Sequence, residues 1–503
     1  MKIRFYYIIG LVILCSSAII VNAQEFSTYF DYPGKDQLNQ YYFGKNPAFL
    51  KFGKEDELLG FRSGINHFNG SFKRFIDPEE ENLYTLSASG QKSIDGNQFF
   101  KGSFNLIRLE RLNWDWIFVR EYEKSIFLIG DSTSGKSRFT GILLNSEYSI
   151  RIPGDILFGA EINYLVDEGL KEVSPRPTSE HRYIDVSLGL GYTGFGDLTL
   201  GVKGNVHDQM EKVVYQEDQG ALTKETIILK FRGYDYPNVF RKKSEVRYSY
   251  GNSYFGQFDF AYRNNGPFRI SGFVSTGIEN YLVKDDAINP ESDGYMQNNI
   301  ISAGVISNYQ LSSEFNIGFS FNTKIEDLWG KSPRYNVLYY EESRNFNSLT
   351  FAAEYNFQPG TSATLEIGDV ISNREVQDHY SDIQFSVKGN KYTGAVGLHH
   401  ELLKDVKLGL AYQYSENKIS DKSLNPGINS DYFLSNRIED IYFCQSDFNS
   451  HRIKFLINFC SILGGDIKVV VDYGIIKPGN TDFFAGMKKE VVNSFVEYKV
   501  KVF

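Results

Sequence analysis

The chain has 503 residues, of which 42% are hydrophobic and 16% aromatic, with a formal net charge of −9 and a mean hydropathy of −0.33. Its 34 Tyr and 41 Phe stand against 3 Trp and 4 Met. This aromatic content excludes a disordered chain, pI ≈ 5.5 excludes a basic nucleic-acid binder, and only the N-terminus holds an apolar run near the ~18 residues of a membrane-spanning helix.

Lys2 and Arg4 open the chain, Phe5 to Leu14 form an apolar core, and Val21-Asn22-Ala23 precede Gln24. This is the pattern of a secretory signal peptide (residues 1–23) cleaved after Ala23. Leu14 stands before Cys15, where a lipoprotein signal has a small residue, which argues against lipidation. Cleavage would remove Lys2 and Arg4 and so take the net charge from −9 to −11. Residues 24–56 form a periplasmic N-terminal segment or small hatch, with Asn46, Pro47, Ala48 and Phe49 as its candidate residues.

From residue 57 onward, period-2 alternation dominates. It is faintest between Leu58 and Ser93. It is clear over Ile184 to Tyr192, Leu198 to Val206, Phe315 to Phe321, Leu349 to Phe357, Val406 to Tyr414, Ile453 to Phe459 and Ile467 to Ile475. One face is apolar and often aromatic; the other carries Lys, Arg, Asp, Asn, Gly and Ser. A soluble sandwich also alternates. Glycine- and charge-rich polar faces, aromatic strand ends and an alternation of short turns with long loops favour a membrane barrel. The turns fall near Pro153-Gly154, Phe195-Gly196, Asn264 to Pro267, Leu311 to Glu314, Gln358 to Thr361, Leu403 to Asp405 and Leu463 to Asp466.

The expected fold is all-β: a transmembrane, antiparallel, up-and-down outer-membrane β-barrel over residues 57–503. Counting the flanks of each turn gives about 18 strands of ~10–12 residues, within a range of 14–18, with short periplasmic turns and long extracellular loops. Phe503 reads as the terminal aromatic of an insertion signal, although it shares parity with Glu497, Lys499 and Lys501 rather than with the apolar face. Cys444 and Cys460 lie in what reads as extended chain, too far apart for a disulfide.

Three motifs are tempting. Gly130 to Ser137 matches the phosphate-loop pattern, but Arg138 to Leu143 reads as a strand where a helix is needed. A glycine-rich external loop explains it better. Gly130-Asp131-Ser132 matches the nucleophile block of Gly-Asp-Ser hydrolases, yet none of the seven histidines has Asp three positions before it, and a serine without a base is not activated. Gly189 to Gly194 fits G-x-G-x-x-G but leads into a strand, so turn and barrel packing account for it. No metal or cofactor is expected: His399 and Glu401 share one face while His400 shares the other with Leu398, an incomplete ligand set.

Lumen-lining candidates follow from parity. They are Asp259, Glu366, His399, Glu401, Arg452, Lys454, Lys468 and Asp472. Basic groups facing lipid at mid-bilayer would cost ~2–4 kcal/mol, so they face water or pair inside. Mixed signs predict weak ion selectivity or a salt-bridged, partly closed interior.

Two resemblances add to this. Asn46-Pro47-Ala48 before the first strand resembles the N-terminal hatch of long-chain fatty-acid outer-membrane transporters. The run from Phe99-Phe100-Lys101-Gly102-Ser103-Phe104 through Trp114, Gly130-Asp131-Ser132 and Pro175-Arg176-Pro177 resembles an uncharacterised Bacteroidota-type outer-membrane β-barrel family, with Ser174 and Lys136 departing from its pattern. This resemblance implies fold and location, and no activity. The expected function is a non-enzymatic porin or transporter passing a small solute across the bacterial outer membrane. The alternatives are a gated hydrophobic-substrate transporter, and a non-transporting scaffold or lipid-acting enzyme. Expected partners are outer-membrane lipid and lipopolysaccharide, with the barrel-assembly machinery during insertion, and no nucleic acid.

Overall fold

A computed structural model describes residues 44–52, 58–216, 226–234, 238–242, 244–263, 267–285, 291–334, 336–358, 360–403, 405–426, 438–462, 464–479 and 483–501. The signal-peptide and Phe503 assignments, and the hatch expectation over 24–43 and 53–56, lie outside these residues.

The alternation does form strands. The first are β1 (Leu58–Gly70), β2 (Glu80–Ser93), β3 (Gln98–Leu112), β4 (Phe127–Asp131), β5 (Ser137–Ile152), β6 (Ile156–Lys171) and β7 (Thr178–Phe195). They continue as β8 (Leu198–Gln216), β9 (Thr226–Arg232), β10 (Asn238–Lys242), β11 (Ser244–Arg263), β12 (Phe268–Asp285), β13 (Glu291–Gln310) and β14 (Phe315–Ser332). The last are β15 (Val337–Gln358), β16 (Thr361–Asp378), β17 (Ile383–Leu403), β18 (Val406–Asn425), β19 (Phe448–Ile462), β20 (Gly465–Pro478) and β21 (Lys489–Lys501).

Eighteen of these form one antiparallel sheet, which closes where β1 pairs with β21 from Leu58↔Lys501 to Gly70↔Lys489. Closure leaves no open edge, which lipid would not tolerate. The faint alternation from Leu58 to Ser93 is two full strands. The strands flanking each of the seven turns read from the sequence pair antiparallel, and an eighth turn lies between β2 and β3, where Gly96 takes φ +75°. Not every opposite connection is long: β14–β15 and β16–β17 are joined as tightly as the periplasmic ends.

The strands are longer than the ~10–12 residues expected. β15 has 22 residues and β17 has 21, against the ~9–11 that cross a bilayer. The outward face explains this. On β15, Phe357, Tyr355, Phe351 and Leu349 are exposed apolar groups, and Asn347, Asn345, Ser343 and Glu341 continue the same face. On β17, Leu402, Leu398, Val396 and Tyr392 give way to Asn390, Lys388, Ser386 and Gln384. The apolar band therefore wraps only the periplasmic-side part of the wall. The barrel projects beyond the membrane on the extracellular side, and its two larger hydrophobic clusters lie inside that projection.

β4, β9 and β10 form a separate three-stranded sheet. A short helix spans 438–444 and holds Cys444, which corrects its reading as extended chain; Cys460 is on β19, and neither is in a disulfide.

Candidate functional site

The lumen is bounded by two different internal structures. The first is the N-terminal segment, the candidate hatch. Pro47–Phe52 forms a 3-10 helix against the inner wall near the periplasmic turns, touching β5, β6 and β7. Asn46 is fully buried. Its side-chain Nδ2 donates to Asp259 Oδ2 at 2.8 Å and to the Val202 carbonyl at 3.2 Å, while its Oδ1 accepts from the Ala48 N–H at 3.0 Å. Ser149 Oγ donates to the Ala48 carbonyl. The wall here is glycine. A Cβ at Gly159 would lie 2.2 Å from the Ala48 nitrogen, and one at Gly189 would lie 2.0 Å from Asn46 Oδ1. Phe49 sits against Gly191 and Gly201 in the same way. The G-x-G-x-x-G motif thus has a packing role, and it receives the Asn46-Pro47-Ala48-Phe49 hatch.

The second is a cap at the extracellular end. Residues 113–136, which take in most of the Gly130 to Ser137 stretch read from sequence as a glycine-rich external loop, fold inward. Trp114, Ile117, Phe118 and Ile129 are fully buried, and Trp114 Nε1 donates to the Ile76 carbonyl at 3.0 Å. One hydrophobic cluster joins this segment to β2, β3, β5 and β8. A second joins Phe127 to β12, β13, β15, β16 and β17. The cap therefore reaches across the barrel mouth.

Buried ion pairs fasten it. Arg247 on β11 donates Nε to Asp285 Oδ1 at 2.7 Å, Nη2 to Asp293 Oδ2 at 2.6 Å and Nη1 to the Leu128 carbonyl of the cap. Lys230 on β9 donates to Asp285 and Glu245. Arg120 of the cap donates to Asp167 at 3.0 Å, and its backbone N–H to Glu211 at 2.7 Å. Lys171 donates to both Asp131 oxygens, at 2.8 and 3.0 Å. Opposite, Arg374 bonds Glu342 at 2.5 Å and reaches Cys444 Sγ and Tyr234. Asp131 of the hydrolase-like block is thus bound to a lysine, and the phosphate-loop-like run leads into β5 rather than a helix.

In the β1–β2 loop, Asp77 is held by Arg74 and by Tyr122 of the cap. Burial pushes the Asp77 carboxyl up, but the adjacent Arg74 guanidinium and its hydrogen bonds outweigh this and hold it at about 2.

Between hatch and cap the wall is polar. Ser103, Asn105, Asn145, Asn163, Asp185 and Asn205 form a ladder across β3 to β8; Ser103 donates to Asn145 at 3.0 Å and Asn205 to Asp185 at 2.9 Å. The lumen-lining residues named from parity are placed as follows. Asp259 holds the hatch. Arg452 pairs with Asp472. Lys454 is directly opposite Asp472 in the ladder. His399, Glu401 and Lys468 line one cavity of about 390 Å³ at the periplasmic end, with Lys407 and Asn458. Glu366 is buried in the wall of β16, and its Oε1 has no hydrogen-bond partner among the described residues. The cap residues were missed. Apolar Ile117-Phe118-Val119 and Ile126 to Ile129 inside an apparent loop were their signal, since a solvated loop has no use for them.

Residues 47–481 match a family described as a family of unknown function, DUF6850. The chain belongs to that family. This member is an outer-membrane barrel, an 18-stranded closed sheet with an apolar outer band. No curated protein matches the sequence at a significant level. Among solved structures it is similar to the siderophore receptor PiuA from Acinetobacter baumannii, at 7% identity over 89% of this chain and 82% of that one, TM-score 0.44. It is also similar to the Pseudomonas putida toluene transporter TodX, at 11% identity over 93% and 94% of the two chains, TM-score 0.30. A third is the Ralstonia pickettii toluene transporter TbuX, at 8% identity over 92% and 93%, TM-score 0.27.

Proposed function

We propose that this barrel is a gated conduit for a small polar solute, closed at rest by its cap. The observation that carries this is the arrangement of the interior. A cap sewn to opposing walls sits above a lumen lined by amides, hydroxyls and paired charges. An 18-stranded barrel is wide enough for an aqueous channel, and the mixed charges are mostly answered by each other, as expected of a salt-bridged interior. Passage therefore requires the cap to loosen or move aside. The polar amide ladder favours a hydrophilic solute over a fatty acid, even though the hatch occupies the position that the fatty-acid resemblance implies. Export through a cleaved leader at residues 1–23 and residence in the bacterial outer membrane belong to the same proposal.

The test is planar-bilayer conductance of the full-length protein. Wild type should show little steady current. Arg247→Ala, which unfastens β11 from the cap, should open it. A large steady wild-type conductance would sink the gate. Silence in Arg247→Ala and in a variant lacking residues 115–125 would favour a non-transporting scaffold.

A further inference from the structure

Glu366 lies at membrane depth. Its neighbours along β16, Leu365 and Ile367, are exposed to lipid on the outer face, so Glu366 points to the inner one. Its residue exposure is 4%. Ala352 on β15 and Ala395 on β17 are directly opposite it in the two ladders. Among the described residues Glu366 makes no ion pair, and its Oε1 receives no hydrogen bond. Thr350 faces the same patch. It pairs across the ladder with Gly368, is 8% exposed, and its Oγ1 is likewise without a partner among the described residues. A Cβ added at Gly368 would come within 3.3 Å of that hydroxyl, so the glycine keeps a side chain from crowding it.

The other buried wall carboxylates differ. Asp259 is answered by Asn46 and Gln257, Asp472 by Arg452 and Glu342 by Arg374. A buried carboxyl without a partner is costly, and an ionisable group kept at membrane depth marks a pathway or a ligand. We propose that this patch binds an organic cation, a protonated primary amine, which donates to Glu366 Oε1 and Thr350 Oγ1. Ala352, Ala395 and Gly368 form a smooth floor for its alkyl stem. An ammonium fits better than a sugar hydroxyl because Glu366 has no ion-pair partner among the described residues, and a charge-assisted bond is about twice as strong as a neutral one.

This inference rests on the reading of the barrel as a solute conduit, and binding is therefore measured apart from conduction. Calorimetric titration of the full-length protein in micelles would use n-butylammonium chloride, with sorbitol and sodium butyrate as comparison solutes. Butylammonium should bind. Glu366→Gln should weaken it about tenfold or more, and Thr350→Val several-fold. Sorbitol and butyrate should not bind. Glu366→Gln should also raise the thermal midpoint, because it removes an unanswered buried carboxyl. The site is overturned by an absence of butylammonium binding, by wild-type affinity in Glu366→Gln, by equal binding of sorbitol, or by a lowered midpoint in Glu366→Gln. If no variant conducts but butylammonium still binds through Glu366, the conduit reading fails and the site stands.

Discussion

Hatch and cap both sit inside one barrel, but different forces hold them. The hatch is a few residues in a groove made by missing side chains: Gly159, Gly189, Gly191 and Gly201 let its backbone approach the wall, and Asn46 adds a small set of hydrogen bonds. The cap is a small hydrophobic core with its own strands, fastened by buried charges to walls on both sides. The contrast follows their positions. The hatch lies at the level of the apolar band, where glycines on the inner wall leave room for its backbone. The cap lies in the projection beyond the membrane, where strands carry polar groups on both faces. A firmly fastened cap and a lightly seated hatch make two barriers of unequal strength.

The largest expected effect tests the fastening of the cap. Arg247→Ala leaves Asp285 and Asp293 buried with less compensation and should cost roughly 3–5 kcal/mol, read as a lower midpoint in urea titration of the folded barrel. An unchanged midpoint would mean that packing alone holds the cap. Next comes pH. Asp77 is held at about 2 against an ordinary 3.8. Its contribution is fully present above the ordinary value and is lost as pH falls from about 4 to about 2, on the order of 2 kcal/mol. Asp77→Asn should abolish that acid sensitivity, measured as the difference between midpoints at the two ends of the window. The smallest effect belongs to the hatch. Asn46→Ala should cost only about 1 kcal/mol while raising proteolytic cleavage near residues 44–52. Gly189→Val should do the same from the wall side, by filling the space that Asn46 occupies. If either cost as much as Arg247→Ala, the inequality between the two barriers would be wrong.

Much of the barrel was legible because a lipid-facing strand has no freedom in its pattern. Phe351, Tyr355 and Phe357 must alternate with groups that tolerate the lumen, and a two-residue turn such as Phe195-Gly196 to Leu198 marks where the chain reverses. The lumen side of Glu366, Arg452 and Asp472 follows from the same parity. The strand lengths did not follow, because Asn347 and Glu341 alternate as regularly as Phe351 does, and only their exposure above the apolar band separates wall from projection.

The interior was the harder part. Period 2 says which way a side chain points and nothing about what it meets there. The partners of Asn46 are 156 and 213 residues away, and Phe75 bonds Asp440 across 365. Ile126 to Ile129 gave an apolar signal in the wrong place for a solvated loop, but only the closed sheet supplies the opposing walls it bridges. The local pattern of residues was enough for the all-β alternation, the turns and the closed wall, since those depend on neighbours a few residues apart and on the solvent outside. Tertiary structure alone decided that residues 113–136 fold inward, that glycines seat a hatch, and that Glu366 is left unanswered, since each depends on which distant strands the barrel brings face to face.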